Sequence, residues 1–318
     1  MSIVQNIVFL DRDSLIANVR RPAFAHAWTE YAATAAGEAV ARLRDATIAI
    51  TNKVPLRAAD LARLPQLKMI AVAATGTDIV DLAACRERGI VVANIRHYAV
   101  HTLPEHVLAL MLALRRNLIA YRADIEAGAW QTSARFCLLD HPIADLAGSR
   151  LGLVGYGALG QSVARLGRAF GMEVCVYTRS EVADAQVRQV GWDELLETSD
   201  VISLHLPLNG QTRNLIGAAE LARMKPSALL INTARGGLVD EAALAHALTH
   251  GVIAGAGFDV LTQEPPPADN ALLNLRLPNF ILTPHTAWAS AQAMQVLADQ
   301  LIDNVEAWAA GAPRNVVG

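Results

Sequence analysis

Three consecutive apolar segments in the last third of the sequence each lead into a polar side chain that could take part in catalysis. These side chains are Arg235, Glu264 and His285. A guanidinium binds a carboxylate through two parallel hydrogen bonds, and an imidazole exchanges a proton near neutral pH. A carboxylate beside the imidazole can hold it in one tautomer. The combination predicts a site that binds a carboxylic acid and moves a proton.

Taken one at a time, these residues have ordinary explanations. Arg235 could be a surface residue that faces phosphate, Glu264 a loop cap and His285 a partly buried histidine with satisfied hydrogen bonds. The apolar segments that lead into them are typical of strands and cover 228–232, 253–258 and 280–283. The carboxyl ends of parallel strands share one edge of a sheet. Three such side chains at three successive strand ends therefore favour a common site over coincidence.

A glycine-rich motif occurs earlier in the chain and consists of Gly155, Tyr156, Gly157, Ala158, Leu159 and Gly160. A strand pattern precedes it, and a helical pattern over 158–170 follows it. In that setting the first glycine allows a tight turn, the second lets a pyrophosphate approach the backbone, and the third lets the helix close on the sheet. A glycine turn without a ligand is the alternative, but the flanking strand and helix favour a dinucleotide-binding motif.

The next strand pattern, 173–177, ends without the acidic residue that commonly binds the adenosine ribose of NAD. Thr178, Arg179 and Ser180 occupy this place. A cation with two hydroxyl groups suits a ribose 2′-phosphate better than a free 2′-hydroxyl, because a guanidinium binds phosphate with two hydrogen bonds. The sequence therefore favours NADP(H), with NAD(H) and a solvated Arg179 as the alternative.

Alternating strand and helix patterns must position these residues, and they predict an α/β protein. In the first hundred residues the strand patterns cover 7–10, 47–51, 69–73 and 90–93, and the helical patterns cover 38–44, 57–63 and 81–88. A long amphipathic helical stretch then runs from His101 to about Gly128. Beyond it, strand patterns cover 151–154, 173–177, 201–206, 228–232, 253–258 and 280–283, and helical patterns cover 158–170, 218–224 and 241–249.

Six parallel strands with crossover helices make a doubly wound parallel-sheet dinucleotide-binding (Rossmann) domain. We place this domain at 101–285, together with the connector helix. A last helical pattern over 290–309 should pack back on the first domain. We therefore predict a discontinuous, flavodoxin-like substrate (catalytic) domain made of 1–100 and 286–318.

Composition and charge narrow the class of protein further. Of 318 residues, 53% are hydrophobic and 18% are charged, which suits two packed cores and argues against disorder. A net charge of −3 argues against binding to nucleic acid. The three scattered cysteines indicate neither disulfides nor a metal site. The longest uncharged segment, 277–298, contains prolines and polar residues, and the N-terminus has no basic leader, so we expect a cytoplasmic protein without a membrane span.

The chain resembles the D-specific 2-hydroxyacid dehydrogenases over essentially its whole length. The resemblance rests on the segments 73–78, 155–160, 231–237, 257–260, 264–265 and 284–288. It implies that Arg235 binds the substrate carboxylate and polarises the 2-oxo group, while His285 is the acid/base paired with Glu264. Thr75 and Gly76 would offer backbone N–H groups to the same carboxylate. Trp288, three residues after the histidine, looks like the glycerate dehydrogenase (hydroxypyruvate reductase) branch and would contact the substrate.

The resemblance also implies a cofactor cleft, a substrate class and an assembly. Residues that would line the cleft are Thr102, His205, Pro207, Thr233 and Asp259, the last of which would meet the nicotinamide carboxamide. Hydride would pass between NAD(P)H and C2 of a small 2-oxo or 2-hydroxy acid, namely hydroxypyruvate/D-glycerate or glyoxylate/glycolate. A homodimer is expected, with Trp130 and Phe136 in the segment where the family carries a dimer arm.

Other proteins with the same fold are the alternatives. A dehydrogenase for another D-2-hydroxy acid would keep the same chemistry. A phosphoglycerate dehydrogenase is disfavoured because it would carry a further regulatory domain, and a formate dehydrogenase because it would carry Gln at the position of Glu264. An NAD(H)-sensing corepressor-like binding protein could retain the arginine, glutamate and histidine. We interpret His97, His101 and His106 as surface residues of the interdomain hinge rather than metal ligands.

Overall fold

The structure is a computed structural model, and it describes residues 4–35 and 37–318. The chain forms two compact units. The first consists of Met1–Tyr98 and Ala289–Gly318, and the second of Ala99–Trp288. Among the described residues no helix is long and apolar enough to cross a membrane.

The first unit is built on a five-stranded parallel sheet. Its strands are β1 (Gln5–Phe9), β2 (His26–Glu30), β3 (Ile48–Thr51), β4 (Met69–Val72) and β5 (Val91–Ala93). Their order is β2-β1-β3-β4-β5. The central strands β3 and β4 are buried along their whole length, as expected for apolar runs covered on both faces. Strand β2 is absent from the sequence prediction, because its half-exposed residues lie at the sheet edge and form no apolar run.

Short helices connect the strands of the first unit, namely α1 (Ala39–Arg42), α2 (Ala58–Leu61) and α3 (Leu82–Glu87). They lie inside the predicted segments but are shorter. Asp81 caps α3 by accepting a hydrogen bond from the N–H of Ala84. The C-terminal helix Ala291–Ala309 also belongs to this unit and packs against β4. The buried Asn304 of that helix donates to the carbonyl oxygen of Asn94, which ties the end of the chain to the first sheet.

The second unit contains a seven-stranded parallel sheet. Its strands are β6 (Arg150–Val154), β7 (Glu173–Tyr177), β8 (Arg188–Gln189), β9 (Val201–Leu204), β10 (Leu229–Asn232), β11 (Gly255–Phe258) and β12 (Phe280–Leu282). The order is β12-β11-β10-β9-β6-β7-β8. The predicted doubly wound parallel sheet is confirmed, with one strand more than the predicted six. The short β8 escapes prediction because both of its residues are exposed and polar.

The direction of winding reverses beside β6. The chain moves from β6 to β7 on one side, and β9 then pairs with β6 on the other side. The carboxyl ends of β6 and β9 therefore form the switch point of the sheet, where open α/β sheets bind ligands.

Six helices accompany this sheet: α4 (Thr102–Arg115), α5 (Leu118–Glu126), α6 (Ala158–Ala169), α7 (Trp192–Thr198), α8 (Ala218–Arg223) and α9 (Glu241–Thr249). The predicted single connector helix is wrong, because the chain breaks into α4 and α5. Asn117 adopts a left-handed conformation between them, with φ of 50°. An asparagine tolerates that conformation better than most residues, so it ends one helix and starts the next. Helix α4 packs on β10, β11 and β12, the strands whose ends carry the candidate catalytic residues.

Candidate active site

The glycine motif forms the tight turn between β6 and α6. Gly155 has φ of +96°, and a Cβ there would lie 2.5 Å from the carbonyl oxygen of His205. A Cβ on Gly160 would lie 2.5 Å from the carbonyl oxygen of Gly155. Both positions therefore require glycine, because a side chain would push the turn off β9 or push α6 off the turn.

The middle glycine of the motif has a different environment. A Cβ on Gly157 would meet no atom within 4 Å. This residue caps the N-terminus of the twelve-residue helix α6, whose first residues are Ala158 and Leu159. The exposed N–H groups and the dipole of a helix N-terminus attract anions. The open space and the helix end together fit the pyrophosphate of a dinucleotide.

The segment after β7 is held in place by two polar side chains. Gln189 donates from Nε2 to the carbonyl oxygens of Thr178 and Ser180, both at 3.1 Å. The hydroxyl of Tyr156 donates to Asp184 at 2.8 Å, which fastens the same segment to the glycine motif. Burial raises the pKa of the Tyr156 phenol, and the N–H of Gln186 together with the Tyr156 hydroxyl lowers the pKa of the Asp184 carboxyl.

Thr178 is half-buried, whereas Arg179 and Ser180 are exposed at the tip of this segment. The structure thus presents a guanidinium and two hydroxyl-bearing residues beyond the carboxyl end of β7. This is the end of the strand that lies next to the glycine turn on β6.

His205 and Pro207 follow β9 at the switch point. The imidazole of His205 contacts Ser203 Oγ through Nε2 at 3.0 Å, and burial lowers the pKa of this histidine from 6.5 to about 4. His205 is therefore neutral at physiological pH and forms part of the support beneath the glycine turn. Pro207 is exposed beyond it. Thr102, at the start of α4, lies 3.5 Å through Oγ1 from the carbonyl oxygen of Ala287.

The loop after β10 carries Arg235 and is held by hydrogen bonds to Asn232 and by close packing against Leu261. Asn232 donates from Nδ2 to the carbonyl oxygen of Arg235 at 2.8 Å and accepts from the N–H of Ala234 at 3.1 Å. A Cβ on Gly236 would lie 2.0 Å from the carbonyl carbon of Leu261, so the loop after β11 lies directly against this one. The half-buried Arg235 donates from Nη1 to the carbonyl oxygen of Ala234 at 2.7 Å. These contacts fix the position of the Arg235 backbone, from which the guanidinium side chain extends.

Thr233 stands next to Arg235 and is only 6% exposed. Its hydroxyl is buried and has no hydrogen-bond partner among the described residues. A buried hydroxyl without a partner costs free energy, and such groups are found where a ligand completes the hydrogen bonding. Its position at the carboxyl end of β10 is where a bound cofactor or substrate would meet it.

His285 and Glu264 form a hydrogen-bonded pair. Nδ1 of His285 lies 2.6 Å from Oε2 of Glu264, and the other oxygen, Oε1, accepts from the N–H of Leu261 at 2.9 Å. The two side chains are 29% and 34% exposed, so the imidazole edge that carries Nε2 can reach a ligand. Because the carboxylate only accepts, Nδ1 carries a proton, and Nε2 is the atom that can exchange one with a substrate.

Asp259 holds the loop on which His285 lies. Its carboxylate is 1% exposed and accepts from the Thr283 hydroxyl at 2.5 Å and from the N–H groups of Thr286 and Ala287 at 2.8 Å each. Its carbonyl oxygen accepts from the N–H of His285 at 2.8 Å. A carboxylate offers about four acceptor positions, so most of those on Asp259 are used within the protein.

Two further residues of the second unit, Thr283 and His106, support this loop, and neither role is predicted from the sequence. Thr283 Oγ1 lies 3.0 Å from Nε2 of His106, on helix α4. His106 is therefore not a hinge-surface residue, although His101 is exposed as predicted. A hydroxyl at the end of the apolar strand β12 and a histidine on the apolar face of α4 are the signals that could have indicated their roles. Trp288 completes the loop by donating from Nε1 to the carbonyl oxygen of His285 at 3.0 Å.

Thr75 and Gly76 belong to the first unit, in the loop after β4. The hydroxyl of Thr75 donates to the carbonyl oxygen of Ile95 at 2.7 Å, and its carbonyl oxygen accepts from Nδ2 of Asn94 at 2.7 Å. These bonds hold the loop at the carboxyl edge of the first sheet. Arg235, Glu264 and His285, in contrast, all belong to the second unit.

Comparison with known proteins agrees with this description. The family model for the NAD binding domain of D-isomer specific 2-hydroxyacid dehydrogenases matches residues 108–287. A glycerate dehydrogenase from Methylorubrum extorquens is 55% identical over 314 residues, which cover 98% of this chain and 99% of that protein. A hydroxypyruvate reductase from Blautia hydrogenotrophica is 35% identical and covers 88% of this chain and 87% of that protein.

The chain is also similar to a solved structure over nearly its whole length. An acyclic imino acid reductase (Bsp5) in complex with NADPH and D-Arg superposes with a TM-score of 0.87 at 30% identity, over 99% of this chain and 100% of that chain. The chain belongs to the D-isomer specific 2-hydroxyacid dehydrogenase family. It is a dehydrogenase of the glycerate dehydrogenase and hydroxypyruvate reductase type, and its cofactor is a nicotinamide dinucleotide.

Proposed function

We propose that the protein reduces small 2-oxo acids to D-2-hydroxy acids, with hydroxypyruvate (to D-glycerate) and glyoxylate (to glycolate) as its substrates. The observation that carries this proposal is the 2.6 Å pair of His285 and Glu264, in which His285 lies on a loop anchored by Asp259, in the same unit as Arg235. The 55% identity to a glycerate dehydrogenase supports the choice of acid.

Arg235, His285 and Glu264 have different roles in this reaction. The Arg235 guanidinium binds the carboxylate of the acid and polarises the 2-oxo group, since an arginine can pair with a carboxylate through two hydrogen bonds. The hydride that reaches C2 would come from a bound reduced nicotinamide. The protonated Nε2 of His285 gives its proton to the 2-oxo oxygen, which becomes the hydroxyl, and Glu264 stabilises the imidazolium before transfer. In oxidation of the hydroxy acid, Nε2 takes the proton back.

The glycine turn and its surroundings fit the cofactor. Gly155, Gly157 and Gly160 would shape the turn around the pyrophosphate, with N–H groups at the start of α6 as donors. The Thr233 hydroxyl, which has no hydrogen-bond partner among the described residues, would line the nicotinamide end. Thr102, His205, Pro207 and Asp259 would line it as well. Thr75, Gly76 and Trp288 stay our candidates for substrate contacts, with the first unit as the substrate domain.

Thr178, Arg179 and Ser180 would bind a ribose 2′-phosphate, so we propose a preference for NADP(H) over NAD(H). Replacing Arg179 by Ser should lower kcat/KM for NADPH by about tenfold, because a charge-assisted hydrogen bond is lost, and leave kcat/KM for NADH nearly unchanged. An unaltered ratio between the two cofactors would show that Arg179 is a solvated residue and that the enzyme does not select through it.

We further propose a cytoplasmic homodimer. The segment between α5 and β6 exposes large apolar side chains, with Phe136 at 91%, Leu139 at 67% and Trp130 at 48% exposure. A second copy of the chain would remove this surface from water. Sedimentation analysis should give a dimer, and the double variant Phe136→Asp, Leu139→Asp should sediment as a monomer. A monomeric wild type would contradict this assembly.

The function is tested by following oxidation of NADPH and NADH with glyoxylate, hydroxypyruvate, pyruvate and a larger 2-oxo acid. We expect fast turnover of hydroxypyruvate or glyoxylate, and a loss of at least about a hundredfold in kcat/KM for Arg235→Ala, since the carboxylate loses its charged partner. Activity on the larger acid alone would keep the chemistry and overturn the choice of substrate. Cofactor binding without turnover of any acid would overturn the function.

A further inference from the structure

His106 lies on helix α4, outside the proposed catalytic set, but hydrogen bonds connect it to the loop that carries His285. Its Nε2 is 3.0 Å from Oγ1 of Thr283 and 3.7 Å from Oδ1 of Asp259. Its side chain is 22% exposed and that of Asp259 is 1% exposed. We propose that His106 is a positioning residue for His285, an inference that rests on the proposed role of His285 as proton donor.

The direction of each hydrogen bond follows from the acceptors that surround Thr283. Oγ1 of Thr283 lies 2.5 Å from Oδ1 of Asp259 and 3.3 Å from the carbonyl oxygen of Phe258, and neither oxygen can donate. The single hydroxyl proton therefore goes to Asp259, since two acceptors 2.5 Å apart would otherwise repel each other. The Thr283 oxygen is then left as an acceptor, so His106 donates to it from Nε2–H.

This arrangement fixes the Asp259 carboxylate, which in turn fixes the backbone around His285. The two carboxylate oxygens accept from the N–H groups of Thr286 and Ala287. His285, directly before these two residues in the chain, has φ of 56°, in the left-handed region that costs free energy for a residue with a side chain. Such a conformation persists only where neighbouring contacts hold it. His106 supplies the outermost of these contacts and determines which way the Thr283 hydroxyl points.

Kinetics with two replacements of His106 test the proposal. Leucine removes the donor, whereas glutamine places an amide N–H close to the position of imidazole Nε2 and keeps it. We expect His106→Leu to lower kcat by about tenfold or more with little change in the Kd for NADPH, because a small misplacement of a catalytic group slows the chemical step. We expect His106→Gln to restore kcat to within about threefold of wild type. His250→Leu is the matched control, since His250 is exposed and its ring stacks on His246 of helix α9 and hydrogen-bonds to the carbonyl oxygen of that residue.

A second measurement does not depend on the substrate. Hydrogen exchange of the Thr286 and Ala287 N–H groups, resolved by mass spectrometry, should accelerate in His106→Leu and return to the wild-type rate in His106→Gln. If His106→Leu does not fold, Thr283→Val breaks the same chain with a side chain of similar shape and should give the same acceleration. Unchanged exchange and unchanged kcat in the leucine variant would overturn the proposal. So would a glutamine variant as slow as the leucine variant. A wild type that reduces none of the acids would instead overturn the proposed function, and hydrogen exchange would still decide the role of His106.

Discussion

Replacing Glu264 by Gln is the most informative single change to the catalytic pair. Glu264 uses both carboxylate oxygens as acceptors, one from His285 Nδ1 and one from the Leu261 N–H. A glutamine has one acceptor oxygen and one NH₂ group, so it can serve only one of these donors. It also removes the negative charge that stabilises the imidazolium from which the proton is donated.

The size of the effect follows from this count of hydrogen bonds. A hydrogen bond to a charged group contributes about 1.5–3 kcal/mol. Since about 1.4 kcal/mol corresponds to a factor of ten in rate, kcat/KM for hydroxypyruvate should fall by roughly 10- to 150-fold. The melting temperature should change little, because the pair is about one-third exposed and such pairs contribute little to the free energy of unfolding.

The assay is steady-state oxidation of NADPH by hydroxypyruvate at pH 7, with Glu241→Gln as the matched control. Glu241 also holds the loop after β11, accepting from the Thr262 N–H and from Asn270 Nδ2, both at 2.6 Å, and neither of these partners belongs to the catalytic pair. We expect this control to keep kcat/KM within about threefold of wild type. A Glu264→Gln enzyme as fast as wild type would refute the reasoning, as would an equal loss in Glu241→Gln.

Four further substitutions test the support of the site. Gly155→Ala should lower the free energy of unfolding by about 2 kcal/mol or more, because alanine at φ +96° is strained and its Cβ meets a carbonyl oxygen. Gly157→Ala, in contrast, should fold normally and weaken only NADPH binding. Urea unfolding measures the first effect, and fluorescence titration with NADPH measures the second. Gly236→Ala should cost about 3 kcal/mol or more and lower activity, since its Cβ would overlap the backbone of Leu261; a normal melting curve would contradict this. Burial lowers the pKa of His205 to about 4 in the folded protein, whereas an unfolded histidine takes up its proton near pH 6.5. The contribution of His205 to the free energy of unfolding should therefore be at its maximum above pH 6.5 and fall as the pH drops towards 4. His205→Gln should reduce this fall, and an identical pH dependence of the melting temperature would exclude His205 as its source.

The main elements of the second unit are predictable from the sequence because its central strands are short apolar runs between helical patterns. Strands β9 and β10 are buried at every residue, and apolar runs of that kind are typical of parallel strands covered on both faces. Edge elements are harder to predict. Strand β8 consists of Arg188 and Gln189, which have no apolar pattern, and its existence depends on pairing with β7.

The candidate site is predictable to a similar degree. The sequence places Arg235, Glu264 and His285 at strand ends, and topology brings those ends to one edge of the sheet. Their supports are not predictable in this way, because the roles of Thr283 and His106 depend on how α4 packs against β12. A histidine among apolar residues of a helix has many ordinary explanations until the acceptor beside it is known.

The central claim is that His285 transfers the proton that accompanies hydride transfer to C2 of a small 2-oxo acid. The most direct measurement is a single-turnover experiment in which the enzyme, preloaded with NADPH, is mixed with hydroxypyruvate and the loss of reduced nicotinamide is followed. For His285→Gln we predict a rate lower than that of wild type by about 10²- to 10⁴-fold, the contribution of a general acid, with the Kd for NADPH unchanged. A His285→Gln enzyme that completes its turnover at the wild-type rate would contradict the claim.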